Sequence, residues 1–435
     1  MGAELTVSDQ AAVLEPWTPE TSLASTEAPP AQEARPRASE PRRYDFIDAL
    51  RCFAILGVIF HHLAPRVPGM PRPLYVLAMQ GFEGVQLFFV MSAFTLFLSL
   101  DSRTRSDRRP YLDFFIRRFF RIAPLFYAGL AFYTLLDYLT VPGGGRASES
   151  LGCFLSTLTF TNGWSPRWIN RLVPGGWSIA VEMNFYLLVP FLFKVLKDLR
   201  LAAMGSFLAL LGAAAFRVVV LRVGPHALGP DSGPLLSTFL YYALPLQLPI
   251  FCMGFVLFYV VKGILAGDSR RPRHAVIDSW FLLALSIYIM VAVSFSDVSL
   301  LLGHVLYGVA FVLLGWSLAL YPNPMLVNGV TRFLGKVSFS AYITHFGILQ
   351  LLEYAMGRGP FRWIEALSPA PRFVVLAVLT VLGTAAVSAV TYRWIESTGI
   401  DLGRQVIRRV EASRARRARG RSPALQASKI VEQLA

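Results

Sequence analysis

The stretch YDFIDALRCFAILGVIFHH, Tyr44 to His62, decides how this chain is read. A bilayer core of about 30 Å takes about 20 apolar residues in a helix, and this stretch is long enough. Yet it carries Asp48 and Arg51 at one end and His61 and His62 at the other. Ionisable groups inside a bilayer cost about 2.5 kcal/mol or more each, so they are candidates for function. At about 100° per residue, His62 falls about 20° from Arg51 and about 40° from Asp48 around the helix, giving one polar stripe. His61 points off that stripe and is the weaker candidate. Arg51 and His62 are separated by about 16 Å along the axis. The plainer alternative is an i,i+3 ion pair at the helix entrance and a terminal histidine in headgroup water.

The remainder of the 435 residues fits a membrane protein. The chain is 54% hydrophobic and only 16% charged, whereas soluble domains average about 25% charged. Its net charge of +14 is spread in short basic runs between apolar segments, which suits lipid headgroups and argues against nucleic acid. Three widely spaced cysteines, Cys52, Cys153 and Cys252, indicate neither a disulfide framework nor a zinc site. The N-terminus lacks the features of a signal peptide, so the first membrane helix is expected to do the targeting.

Ten segments approach spanning length, at about 46–64, 82–100, 119–139, 180–197, 200–221, 236–261, 276–295, 299–320, 338–355 and 372–392. Pro245 and Pro249 are expected to kink the sixth. With the N-terminus inside, the inner loops hold sixteen Lys or Arg and the outer loops nine, which predicts an N-in, C-in topology. The fold class is therefore all-α, a polytopic membrane protein of about ten helices. Residues 1–44 read as a disordered cytoplasmic tail, 45–400 as the membrane domain and 401–435 as a basic cytoplasmic tail. The last suits either an anionic inner leaflet or a solvated role.

Three further stretches place ionisable groups near the membrane. FIRRFFRIAPLFY sets Arg118 and Arg121 on one helix face, where two guanidinium forks suit phosphate, although positive-inside anchoring explains them equally well. PGGWSIAVEMNFYLLVPFL carries Glu182, expected at the level of His62, where a carboxylate would orient the imidazole and raise its basicity. Trp177 beside it suits an aromatic belt or a pocket wall. FLGKVSFSAYITHFGIL puts Ser338, Tyr342 and His345 on one face, either as interhelical glue or as a cavity lining.

Together these stretches, with GVQLFFVMSAFTLFL and VTYRWIE, resemble acyltransferase family 3, integral-membrane acyltransferases of bacterial glycans and antibiotics. The resemblance covers Tyr44 to Glu396 with the motifs in order. It carries the family's Arg-X10-His spacing onto Arg51 and His62, its Arg-X-X-Arg onto Arg118 and Arg121, and its Trp-Ser-X-X-X-Glu onto Trp177, Ser178 and Glu182. The late Ser-X-Ser-X-Tyr-X-X-His falls on Ser338, Ser340, Tyr342 and His345. Two departures concern helix packing. Ser92-Ala93 stands where relatives commonly read Ser-Gly, and YRWIESTG lacks a nearby proline. An SGNH-type esterase domain, fused to some relatives, is not expected in the short tail.

The resemblance implies acyl-CoA, most simply acetyl-CoA, as co-substrate, with no permanently bound cofactor and no metal. The implied acceptor is a glycan, lipid-linked sugar or small glycosylated molecule, and the implied location is the cytoplasmic membrane of a bacterial cell envelope. Arg118 and Arg121 would hold the donor. His62 would act as general base or transient acyl carrier, tuned by Asp48, Arg51 and Glu182. Trp177, Ser338, Tyr342 and His345 would line the substrate cavity. Two other readings compete: a proton-coupled secondary transporter, for which no repeat of the Arg–His motif is found in the C-terminal half, and a non-enzymatic membrane protein.

Overall fold

The computed structural model describes residues 44–105, 107, 109–266, 274–358 and 361–414. The expected N-terminal tail over 1–43, the loop arginines at 108 and 270–273, and the basic run beyond 414 lie outside the described residues.

Among the described residues the α-helices up to Thr391 are, in order, α1 (Asp45–Leu63), α2 (Arg72–Met79), α3 (Gly84–Arg103), α4 (Pro110–Thr140), α5 (Leu151–Leu158), α6 (Gly176–Val195), α7 (Leu199–Leu228), α8 (Gly233–Tyr242), α9 (Leu244–Ala266), α10 (Ala275–Ser294), α11 (Leu300–Leu320), α12 (Gly329–Lys336), α13 (Ser338–Arg358) and α14 (Pro369–Thr391). No strand occurs among the described residues. Nine helical segments there are long and apolar enough to cross a membrane. The ninth expected segment, α13, has the length but not the apolarity, because Ser338, Ser340, Tyr342, Thr344 and His345 crowd its first two turns.

The sixth expected segment is broken rather than merely kinked. Ala243 is extended (φ −61°, ψ 138°) between α8 and α9, and Pro245 occupies the first turn of α9, where its missing donor costs nothing. Gln247 Nε2 donates to the Tyr241 carbonyl at 2.6 Å across the break.

The centre of the bundle is α3, buried almost throughout, whereas α7 buries only Ala202 and Ala213 and lies at the rim. Stacked rings join α3, α6 and α9: Phe97 on Phe255 (3.8 Å between centroids), Phe89 on Phe251 (4.3 Å) and Phe185 on Phe251 (3.8 Å). The Ser92-Ala93 departure is absorbed by Gly254 of α9. A Cβ there would lie 2.7 Å from that of Ala93 and 2.3 Å from the Val90 carbonyl, so the glycine makes room for the extra methyl.

Past Thr391 the chain makes a π-helical turn, Tyr392–Glu396, and then continues as helix to Arg414. The missing proline therefore lets the helix run on beyond residue 400. The π turn re-aims Glu396 into the bundle, where it is 1% exposed.

Candidate active site

Two cavities occupy the bundle interior. The first, of about 670 Å³, collects Arg51 from α1, Ser92 and Thr95 from α3, Arg118 and Arg121 from α4, and Glu182 from α6, with Ser338 and Tyr342 of α13 completing it. Three of its lining residues are arginines and one is a carboxylate, so it carries excess positive charge.

Each arginine is held differently. Arg51 lies 4.0 Å from Asp48 and donates to Thr95 Oγ1 at 3.5 Å. Asp48 itself does not line the cavity. Arg121 Nε lies 4.0 Å from Glu396 Oε1, and Glu396 Oε2 accepts from Ser340 at 3.0 Å. Arg118 has its guanidinium carbon 5.8 Å from the Phe114 ring and 6.0 Å from the Tyr186 ring. It has no ion-pair partner among the described residues. An unpaired guanidinium in a cavity, beside two loosely paired ones, is suited to a polyanion.

The second cavity, of about 1050 Å³, is lined by His61, His62, Arg146, Arg171, Trp177 and Tyr242 among others. His62 Nδ1 lies 2.8 Å from the Val58 carbonyl oxygen. A carbonyl can only accept, so Nδ1 carries the proton and Nε2 keeps the lone pair. His345 is fully buried, and its Nδ1 faces the Ala341 carbonyl at 3.1 Å. By the same reasoning its Nε2 is an acceptor, and it lies 3.4 Å from His62 Nδ1. His345 thus supports His62 from behind without lining either cavity. His61 also lines the second cavity, its Nδ1 facing the Met79 carbonyl at 2.8 Å.

The expected pairing of Glu182 with His62 is not formed. Glu182 accepts from Ser92 at 2.5 Å and from Tyr186 at 2.7 Å, inside the arginine cavity. The cause is the depth at which α6 begins. The Gly175 carbonyl just before α6 accepts from Tyr342 at 3.0 Å, one turn short of His345 along α13. Seven residues further, Glu182 is about 10 Å beyond that level. Trp177 is 5% exposed and stacks on Tyr242 at 4.4 Å, which makes it a pocket wall.

The two cavities share Val85 and Tyr342 in their linings. The Tyr342 hydroxyl is also 2.8 Å from Ser178 Oγ, so the ring is pinned at this neck. Sequence reasoning missed Glu396, Tyr186 and Val85. The first falls within the quoted VTYRWIE stretch, but only the π turn brings it beside Arg121. Tyr186 and Val85 also lie within quoted stretches, but nothing in their spacing sets them apart from the other apolar and aromatic residues of α6 and α3.

The family described as "Acyltransferase domain", acyltransferase family 3, matches residues 44–389. A protein named as an acetyltransferase, ORF330 of Acidianus two-tailed virus, is 26% identical over 70% of this chain and 83% of its own length. YrhL of Bacillus subtilis, named as a peptidoglycan O-acetyltransferase, is 27% identical over 40% of this chain and 28% of its own. The O-acetyltransferase OatA of Staphylococcus aureus is 22% identical over 82% of this chain, which spans 57% of OatA. No solved structure matches the chain. With the family match covering most of its length and nine described helical segments fit to cross a bilayer, the chain belongs to acyltransferase family 3 and is a multi-pass membrane acyltransferase.

Proposed function

We propose that this acyltransferase moves an acetyl group from acetyl-CoA, bound in the arginine cavity, to a sugar hydroxyl held in the His62 cavity. The observation that carries the reading is the pair of cavities meeting at Val85 and Tyr342, one rich in arginine and the other holding the imidazole. CoA phosphates meet Arg118 and Arg121 at the inner mouth, and the pantetheine arm brings the thioester to the neck. The arginine end of the bundle faces the cytoplasm, where acyl-CoA is found. The positive-inside bias of the loops supports that orientation.

His62 Nε2 removes the acceptor hydroxyl proton while the oxygen attacks the thioester carbonyl. The C–O bond forms, the C–S bond breaks, and the CoA thiolate takes the proton back from the imidazolium. In the two-step variant the same nitrogen first carries the acyl group and then passes it to the acceptor oxygen. His345 accepts from Nδ1 and stabilises the imidazolium. Arg51 and Glu182 set the charge at the inner side of the neck, Asp48 steadies Arg51, and Trp177 offers a flat apolar face to a sugar ring. Support for transfer to oxygen comes from the names of both the B. subtilis and S. aureus relatives, and support for a glycan acceptor from the B. subtilis name.

Purified protein in lipid vesicles, supplied with acetyl-CoA and peptidoglycan fragments, is expected to release free CoA thiol with matching acetyl ester on the glycan. Thiol release absent from wild-type protein with every acceptor offered would sink the reading.

A further inference from the structure

The helix that carries His62 stops almost as soon as it has presented it. α1 ends at Leu63, and Pro65, which has no N–H, sits in the tight turn Ala64–Arg66 that follows. The last carbonyls of a helix lack partners within it, and its final turn is the part that frays. A reacting imidazole placed there needs another support.

Two ties to α13 supply it. The first is the contact of the His62 ring with His345. The second runs through the main chain: the Arg66 guanidinium folds back one turn and donates to the His62 carbonyl oxygen, and it is also ion-paired with Glu353 of α13. Glu353 lies eight residues beyond His345, about 12 Å along α13 at 1.5 Å per residue. One contact would leave the end of α1 free to pivot, whereas two at such a separation fix its direction as well as its position. The His62 ring itself rests edge-on against Phe346, with 4.5 Å between centroids.

Neither Arg66 nor Glu353 lines the arginine cavity or the His62 cavity, so neither touches a substrate held there. Both are only partly buried, and an open ion pair adds little to stability by itself. The consequence of this pair therefore lies in what it holds. We infer that Arg66 and Glu353 form a clamp on the main chain of His62, which makes them positioning residues for acyl transfer. The inference rests on the acyl-transfer reading of His62 and assigns two side chains to it. Arg66 supplies the donor to the His62 carbonyl, and Glu353 aims the guanidinium and anchors it to α13. The planar fork of an arginine has enough N–H groups to serve both partners at once. A cation at the end of α1 would also cap that helix, but capping needs no carboxylate from α13.

The test compares Arg66→Gln, Glu353→Gln, Arg66→Lys and the exchanged pair Arg66→Glu with Glu353→Arg. Full-length protein in nanodiscs, with histidine labelled at its ring nitrogens for NMR, is used throughout. Arg66→Gln and Glu353→Gln should each lower kcat about tenfold, the scale of a slight misplacement of a reacting group, with KM for acetyl-CoA unchanged. Arg66→Lys still donates to the carbonyl and should lose less. The exchanged pair should recover nothing, because a carboxylate at position 66 cannot donate. The His62 ring signal, identified by its loss in His62→Ala, should report the Nδ1-protonated tautomer in the wild type and a mixture of tautomers in both glutamine variants. If a glutamine variant folds poorly, Glu353→Asp, which keeps the charge but shortens its reach, should still lower kcat alone. Full recovery by the exchanged pair means a simple tie between helices, and unchanged kcat in Glu353→Gln or Glu353→Asp means a helix cap only; either overturns the inference. The NMR signature needs no turnover, so absence of acetyl transfer in the wild type would overturn the enzymatic reading while the tautomer ratio still decides the clamp.

Discussion

His62 Nδ1 and His345 Nε2 face each other at 3.4 Å across the α1–α13 interface, with His62 also donating to the Val58 carbonyl. Together these contacts leave the Nε2 lone pair of His62 free and, in the proposed mechanism, give His345 a positioning role that substitution can separate from substrate binding.

His62→Ala should lower kcat by about 100-fold or more, in the range usual for a positioned acid–base group. His61→Ala should retain most activity. His345→Ala should reduce kcat with little change in KM for acetyl-CoA, and His345→Gln, which keeps an acceptor near Nδ1, should recover part of the loss. Steady-state kinetics on equal amounts of membrane-inserted protein decide this, and a rise in KM alone for His345→Ala would contradict the assignment.

Arg118 has aromatic faces and no ion pair among the described residues. Arg118→Ala should raise KM for acetyl-CoA about tenfold, and Arg118→Lys should restore it only in part because a lysine lacks the planar fork. Arg121→Ala should act similarly while also freeing Glu396. If both variants instead reduce the amount of folded protein and leave KM unchanged, the arginines are anchors.

Val85 and Tyr342 line both cavities, so on the proposed route they stand between donor and acceptor. Val85→Phe should abolish acetyl transfer while acetyl-CoA binding, measured by calorimetry, persists. Val85→Ala should shift the donor preference towards propionyl- and butyryl-CoA. An unchanged chain-length profile in the alanine variant would place the route elsewhere.

Gly335 packs α12 against α1 so closely that a Cβ would lie 1.7 Å from the Asp48 carbonyl oxygen, a backbone atom with no freedom to yield. Gly335→Ala should therefore cost at least the 1–3 kcal/mol typical of overpacking, about a several-degree fall in melting temperature in detergent. Gly263→Ala, with nothing within 4 Å of its Cβ, is the matched control.

Much of the architecture is legible in the sequence because length and apolarity are local properties. Nine of the ten expected segments each coincide with one helix, and the sixth is divided between α8 and α9. Helical spacing foreshadowed that Arg118 and Arg121 share a cavity with Arg51, Ser338 and Tyr342, but not that His62 lines a different one or that Asp48 and His345 line neither. Depth was not legible. Glu182 belongs to the arginine cavity because α6 starts inside the bundle at Gly176, and no spacing within α6 reports that. The His62–His345 contact joins residues 283 apart, and Glu396 reaches Arg121 through a π turn that lacks a proline to announce it.

The central claim is transfer from a donor in one cavity to an acceptor in the other through the membrane. The most direct measurement uses sealed inside-out vesicles carrying the protein, with radiolabelled acetyl-CoA added outside and a membrane-impermeant glycan acceptor trapped in the lumen. Acetyl ester is expected on the lumenal glycan, lost in His62→Ala and Val85→Phe. Product formed only when donor and acceptor share the outer compartment would contradict it.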